Sequence, residues 1–225
     1  SANILKANDM TDVSIDDLID GLADDLKPIR PRRLLRGGAW TAAAWLIGGG
    51  TLLWLLGMRH DLAHGASMAP MPMFAFWLIV ALGLAATWSA LRMGLPGVGR
   101  DYSGWRWAGL AALALPLTAL VVGLGDTHAA MHGMDPHGGM RCTLDGLVAG
   151  LGVGAALFAW LKGGAPTSLE RAGWVVGVAA GAAGAAVLAL HCSSDNMVHI
   201  ALWHGLVVIL SAIAGRLILP PLLRW

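Results

Sequence analysis

Long uncharged stretches fill most of the chain, and short charged clusters separate them. Between Arg36 and Arg59 lie 22 residues without Asp, Glu, Lys or Arg, and between Asp61 and Arg92 lie 30. The stretches Arg106–Asp126, Asp145–Lys162, Arg171–Asp195 and Asp195–Arg216 enclose 19, 16, 23 and 20. A helix needs about 20 apolar residues to cross a bilayer, with roughly 17 as the lower limit. All but the fourth stretch qualify directly, and the fourth qualifies with Asp145 at the interface. None shows the two-residue alternation of an outer-membrane barrel strand. The pattern predicts an all-α membrane protein, a six-transmembrane-helix bundle with spans at about 38–57, 72–91, 107–125, 143–161, 172–190 and 198–219. Residues 1–36 then form a separate N-terminal segment, and 37–225 the transmembrane domain.

Charge fixes the orientation. An even number of spans puts both termini on one side. Of the 15 Lys and Arg residues, 13 fall before span 1, between spans 2 and 3, between spans 4 and 5, or after span 6. Only Arg59 and Arg141 fall on the other side. Cytoplasmic loops carry the Lys/Arg excess, so both termini are expected in the cytoplasm. The first apolar run begins near residue 37 and is too long for a cleavable signal peptide. Met10 is read as the natural start, with residues 1–9 an added leader.

Composition agrees with this picture. Of 225 residues, 56% are hydrophobic and 13% charged, about half the charged share of a soluble domain. The formal net charge of +1 carries no overall nucleic-acid footprint, so direct nucleic-acid binding is not expected. The 31 glycines include four-residue stripes, Gly146–Gly150–Gly154 in span 4 and Gly173–Gly177–Gly181 in span 5. Such stripes let helix backbones approach closely, within one chain or across a homodimer.

The N-terminal segment has its own pattern. In TDVSIDDLIDGLADDLK, residues 11–27, Ile15, Leu18, Ile19, Leu22 and Leu26 fall on one helical face. Pro28 and Pro31 then end the helix. Over residues 1–27, seven aspartates, among them Asp16 and Asp20, against Lys6 and Lys27 leave a net charge of −5. Three placements are open: on a protein partner, on the chain's own bundle, or on the membrane surface. Surface-lying helices carry Lys/Arg toward anionic lipid, which an acidic helix cannot supply. An acidic amphipathic helix fits a basic partner with an apolar groove.

The predicted topology sorts the soft ligands to the outer side. All 8 histidines map there, as do both cysteines: Cys142 opens span 4 and Cys192 closes span 5. Thiolate and imidazole bind soft and borderline metals, so Cys142, Cys192, His191, His128, His132 and His137 are the candidate ligands. The chain holds no C-x-x-C motif, and as permitted polar residues the histidines have an ordinary structural reading too. The two cysteines at one depth allow a structural disulfide, a reversible thiol switch, or inert thiols.

These residues resemble a known family. Arg141-Cys142, Gly163-Gly164-Ala165-Pro166-Thr167, His191-Cys192 and Trp203-His204-Gly205 stand in the order seen in the C-terminal half of the NrsF-like negative regulators of sigma-F. The lead around Leu18-Ile19-x-x-Leu22 is similar too. The resemblance implies a six-span anti-sigma factor in a bacterial inner membrane, holding an extracytoplasmic-function (ECF) sigma factor through its cytoplasmic helix. It further implies release on a heavy-metal or oxidant signal acting through Cys142 and Cys192, with no cofactor required and a metal ion only as signal. The outer stretch 126–140, rich in His and Met, has no counterpart in that resemblance.

Two other classes compete. A transporter or metal permease would bury ionisable groups at mid-membrane, where this chain offers only His204 as a deep candidate. An enzyme would need paired acid and base groups, and only Asp145, Asp195 and the histidines are at hand. The expectation is therefore a regulator and not an enzyme, with membrane lipid and a sigma factor as partners.

Overall fold

A computed structural model describes residues 15–24, 33–95, 106, 109–110, 113–164 and 166–224, with the side chains of all but Asp17, Leu18 and Ala129. Most of the described residues are helical, with no strand among them. The chain divides into two units, residues 1–32 and 33–225, taken here in turn.

In the first unit, helix α1 runs over Ile15–Asp24. Its Ile15, Ile19 and Leu22 side chains are exposed, as are those of Asp16 and Asp20. The Leu18 side chain and all of Leu26, both expected on the same face, lie outside the described residues.

The second unit contains α2 (Leu34–Leu56), the short α3 (His60–Ala63), α4 (Pro70–Met93), α5 (Ala114–Gly125), α6 (Thr127–Gly133), α7 (Pro136–Lys162), α8 (Leu169–His191) and α9 (Met197–Leu223). Five of these, α2, α4, α7, α8 and α9, are long and apolar enough to cross a membrane. The third expected span, 107–125, is seen as the shorter apolar helix α5, and residues 107, 108, 111 and 112 lie outside the described ones.

The largest departure from the predicted pattern is α7. It begins at Pro136 and not near 143, so Cys142 sits inside the helix instead of opening it. The cause is local. Asp135 is an N-cap whose side chain accepts from the Gly138 N–H at 3.0 Å, and Pro136 takes the first helical position. The His-Gly-Gly run after it, which reads as loop, is carried into the helix.

Helix α8 is the core of the unit, buried along most of its length and packed against α4, α7 and α9. Small residues make this possible. A Cβ on Gly184 would run into the Gly146 carbonyl oxygen of α7, and one on Gly177 into the Ser211 carbonyl oxygen of α9. The glycine stripes therefore face neighbouring helices of the same chain. Large apolar side chains such as Leu46, Trp54, Trp77, Leu124, Leu151 and Leu217 point outward instead.

Candidate functional site

The site forms where α7, the end of α8 and the start of α9 meet. Helix α8 stops after His191, with the Cys192 N–H donating to the Leu188 carbonyl at 2.8 Å. The polar stretch Ser193–Asn196 reverses the chain. Asn196 then caps α9 by accepting from the N–H groups of Val198 (2.9 Å) and His199 (3.4 Å). His199 thus sits on the first turn of α9, directly after the reversal. Residues Ile200–His204 form a widened π turn before the regular helix resumes at Gly205. Such turns recur at functional sites.

This path gathers the sulfurs. Cys142 and Cys192 are free thiols with Sγ atoms 3.9 Å apart, and the Cys192 Sγ lies 3.6 Å from Nε2 of His199. The ligand atoms of Cys142, Cys192 and His199 all lie within 4.8 Å of one another. Among the described residues they are the only such group of three or more. His204 lies against the same thiol and is 1% exposed, and neither ring nitrogen makes a hydrogen bond of good geometry. The hydrogen bond from the Cys142 thiol holds the Cys192 thiol below the ordinary thiol range, burial opposes it, and His199 and His204 add to the lowering.

A scaffold of buried hydrogen bonds surrounds the cluster. Thr143, next to Cys142, donates to the carbonyls of Gly139 (3.1 Å) and Trp203 (3.3 Å), tying α7 to the π turn. Trp203 in turn donates from Nε1 to the Gly133 carbonyl at 3.0 Å, and its ring fills the space a Cβ on Gly139 would need. On the other flank, buried Arg59 bonds to Asp61 (2.6 Å) and to Asp195 (2.8 Å) in the reversal itself. The Arg59 hydrogen bond draws the Asp61 carboxyl below the usual carboxylate range.

The structure brings together only part of the predicted ligand set. Cys142 and Cys192 meet. His191 does not join them: its Nδ1 pairs with the Gly57 carbonyl at 2.7 Å, so the ring turns toward the α2–α3 connection. His128 and His132 stand one turn apart on α6 with ring centroids 5.0 Å apart, exposed, and His137 is exposed on the first turn of α7. These four histidines lie outside the cysteine cluster. Beside the two thiols stand instead His199 and His204, which sequence spacing did not single out as ligands. The signal for them was present but indirect. Ser193-Ser194-Asp195-Asn196 reads as a reversal with a helix cap, and a reversal is what returns residues 199 and 204 to Cys192.

Comparison with known proteins follows the same lines. The family model described as negative regulator of sigma F matches residues 22–225. The anti-sigma-F factor NrsF of Caulobacter vibrioides (strain NA1000 / CB15N) is 33% identical over 222 residues, covering 93% of this chain and 99% of the relative. A probable anti-sigma-F factor NrsF of Azospira oryzae (strain ATCC BAA-33 / DSM 13638 / PS) is 30% identical over 192 residues, 82% of this chain and 87% of the relative. No solved structure matches the chain.

Proposed function

Since the chain belongs to the NrsF family of negative regulators of sigma F, we propose that it is a membrane anti-sigma factor that retains an ECF sigma factor at the bacterial inner membrane. The membrane part crosses the lipid six times, with α5 and the residues before it as the third span and both termini in the cytoplasm. Helix α1 holds the sigma factor. The observation that carries this reading is the exposed face of Ile15, Ile19 and Leu22 on a helix that also presents Asp16 and Asp20. Apolar side chains in such numbers on a short acidic helix fit a groove with a basic rim. While α1 occupies the sigma factor, the latter is kept from core RNA polymerase.

The releasing signal acts from outside on Cys142 and Cys192. Metal binding or oxidation draws the outer ends of α7 and α8 together. The resulting shift reaches the inner loop between Lys162 and Leu169 and lowers the affinity of α1 for its partner. Couplings of this kind are worth about 1–3 kcal/mol, a change of roughly 5- to 150-fold in binding.

The test is retention of the sigma factor by the full-length protein and by Leu22→Asp. The free protein tolerates this change, since Leu22 is exposed. The complex loses about 1.5–3 kcal/mol of buried leucine and must desolvate an unpaired carboxylate as well. Retention is expected to disappear while membrane insertion continues. Equal retention by Leu22→Asp and the parent chain refutes the groove.

A further inference from the structure

Cys142 and Cys192 supply sulfur, but two sulfurs alone do not make a closed metal site. We propose that His199 and His204 complete them into a four-coordinate centre for a d10 divalent cation of the zinc and cadmium class. The assignment rests on the reading of the cysteines as the sensing pair; it adds the two imidazoles and the chemical class of the signal.

The distances carry it. Metal–ligand bonds of about 2.3 Å to sulfur and about 2.0–2.1 Å to nitrogen, set tetrahedrally, put two sulfurs about 3.8 Å apart and a sulfur and a nitrogen about 3.5 Å apart. Here Cys142 Sγ and Cys192 Sγ are 3.9 Å apart, and Cys192 Sγ and His199 Nε2 are 3.6 Å apart. Two of the three edges among these atoms therefore stand within a few tenths of an ångström of their bound lengths, and all three atoms lie within 4.8 Å of one another.

His204 fits the fourth corner. It is buried to 1% exposure against Cys192, with neither ring nitrogen making a hydrogen bond of good geometry. The backbone supports the same reading. In a regular helix, residues five apart point about 140° away from each other. A π turn closes with an i→i+5 hydrogen bond and swings such residues toward one face. The π turn at Ile200–His204 thus aligns His204 with His199, whose rings stand 5.9 Å apart edge to face.

Ligand chemistry selects the ion. Two thiolates and two imidazoles, with no carboxylate among them, favour zinc and cadmium over magnesium and calcium. On binding, each cysteine gives up its Sγ proton to water, two protons leave per ion, and neither metal nor sulfur changes oxidation state. The site then bonds α7, the end of α8 and the π turn of α9 into one unit. Arg59 borders the same small cavity as Cys192 and His204 and holds Asp195 in the reversal, so it positions the loop without ligating.

The experiment is a cobalt(II) titration of the reduced full-length protein in detergent, followed by displacement with cadmium. One cobalt per chain is expected, with the intense visible bands of tetrahedral thiolate–imidazole coordination. His199→Gln and His204→Gln should each weaken binding at least about tenfold and dim those bands, whereas His191→Gln and His128→Gln should change neither. X-ray absorption of the cadmium-loaded parent chain needs no variant and should show two sulfurs and two imidazole nitrogens. The centre is overturned by a weak octahedral cobalt spectrum, by wild-type binding in both His199→Gln and His204→Gln, or by a cadmium shell without imidazole. Sigma retention is measured on the same preparation. A normal cobalt spectrum on a chain that retains no sigma factor refutes the function proposed above and leaves the centre standing.

Discussion

Replacing Thr143 by valine keeps the side chain's size and deletes the hydroxyl that ties α7 to the π turn. That hydroxyl donates to the carbonyl of Gly139, one turn back in its own helix, and to that of Trp203 across the interface. Only the second bond links helices. A net intramolecular hydrogen bond is worth about 0.5–1.5 kcal/mol, and more when a buried acceptor is left unmet. The 3.3 Å length to Trp203 is at the long end of such bonds, which favours about 1 kcal/mol. For a chain of this size that corresponds to a fall of about 2–4 °C in Tm. Thr41 is the internal control. It is equally buried and donates to the Gly37 carbonyl, one turn back in its own helix, at 2.9 Å. Thr41→Val should therefore lie within about 0.5 kcal/mol of the parent chain. Thermal unfolding followed by a thiol-reactive dye reads both variants, because the Cys142 and Cys192 thiols become reactive as this end of the bundle opens. Equal melting of Thr143→Val and Thr41→Val would refute the tie between α7 and the π turn.

Cys142→Ser and Cys192→Ser should each abolish induction of the sigma-dependent genes while repression persists, and the double variant should be no worse than either. A normal response to cadmium and oxidant in both single variants, read by a reporter gene, removes the cysteines from sensing. Gly184→Leu should destabilise the protein by the upper part of about 1–3 kcal/mol or more, since a side chain there meets the Gly146 backbone. Gly50→Leu, which meets nothing within 4 Å, should be neutral in the same unfolding assay. In a background with both cysteines replaced by serine, His137→Cys should label with an impermeant maleimide from outside and Arg171→Cys only from inside. The reverse pattern inverts the topology.

Much of this protein is written in the order of its residues. Spans are legible because a bilayer demands about 20 uncharged residues per crossing, and the chain meets that demand with charged clusters as punctuation. At α5 the described helix is the C-terminal part of the uncharged stretch that contains it, and several residues of that stretch lie outside the described ones. The acidic amphipathic lead and the single pair of cysteines are equally plain, since neither depends on what packs against what. Glycine stripes announce close packing, but not with which partner. Only the fold shows Gly184 on Gly146 and Gly177 on Ser211 within one chain.

The ligand set is where one-dimensional spacing stops. His191 adjoins Cys192 in sequence, yet α8 ends between them and its ring is claimed by the Gly57 carbonyl. His199 and His204 are farther along the chain and nearer in space. Asn196 starts a new helix after the reversal, and the π turn brings residue 204 around toward residue 199. Sequence determined which side chains carry soft donors and which stretches are apolar enough to cross a membrane, because hydropathy and charge act residue by residue. Tertiary structure alone decided which of those donors meet. A ligand set is fixed by where helices end and how a turn is wound, and backbone hydrogen bonds, not composition, set both.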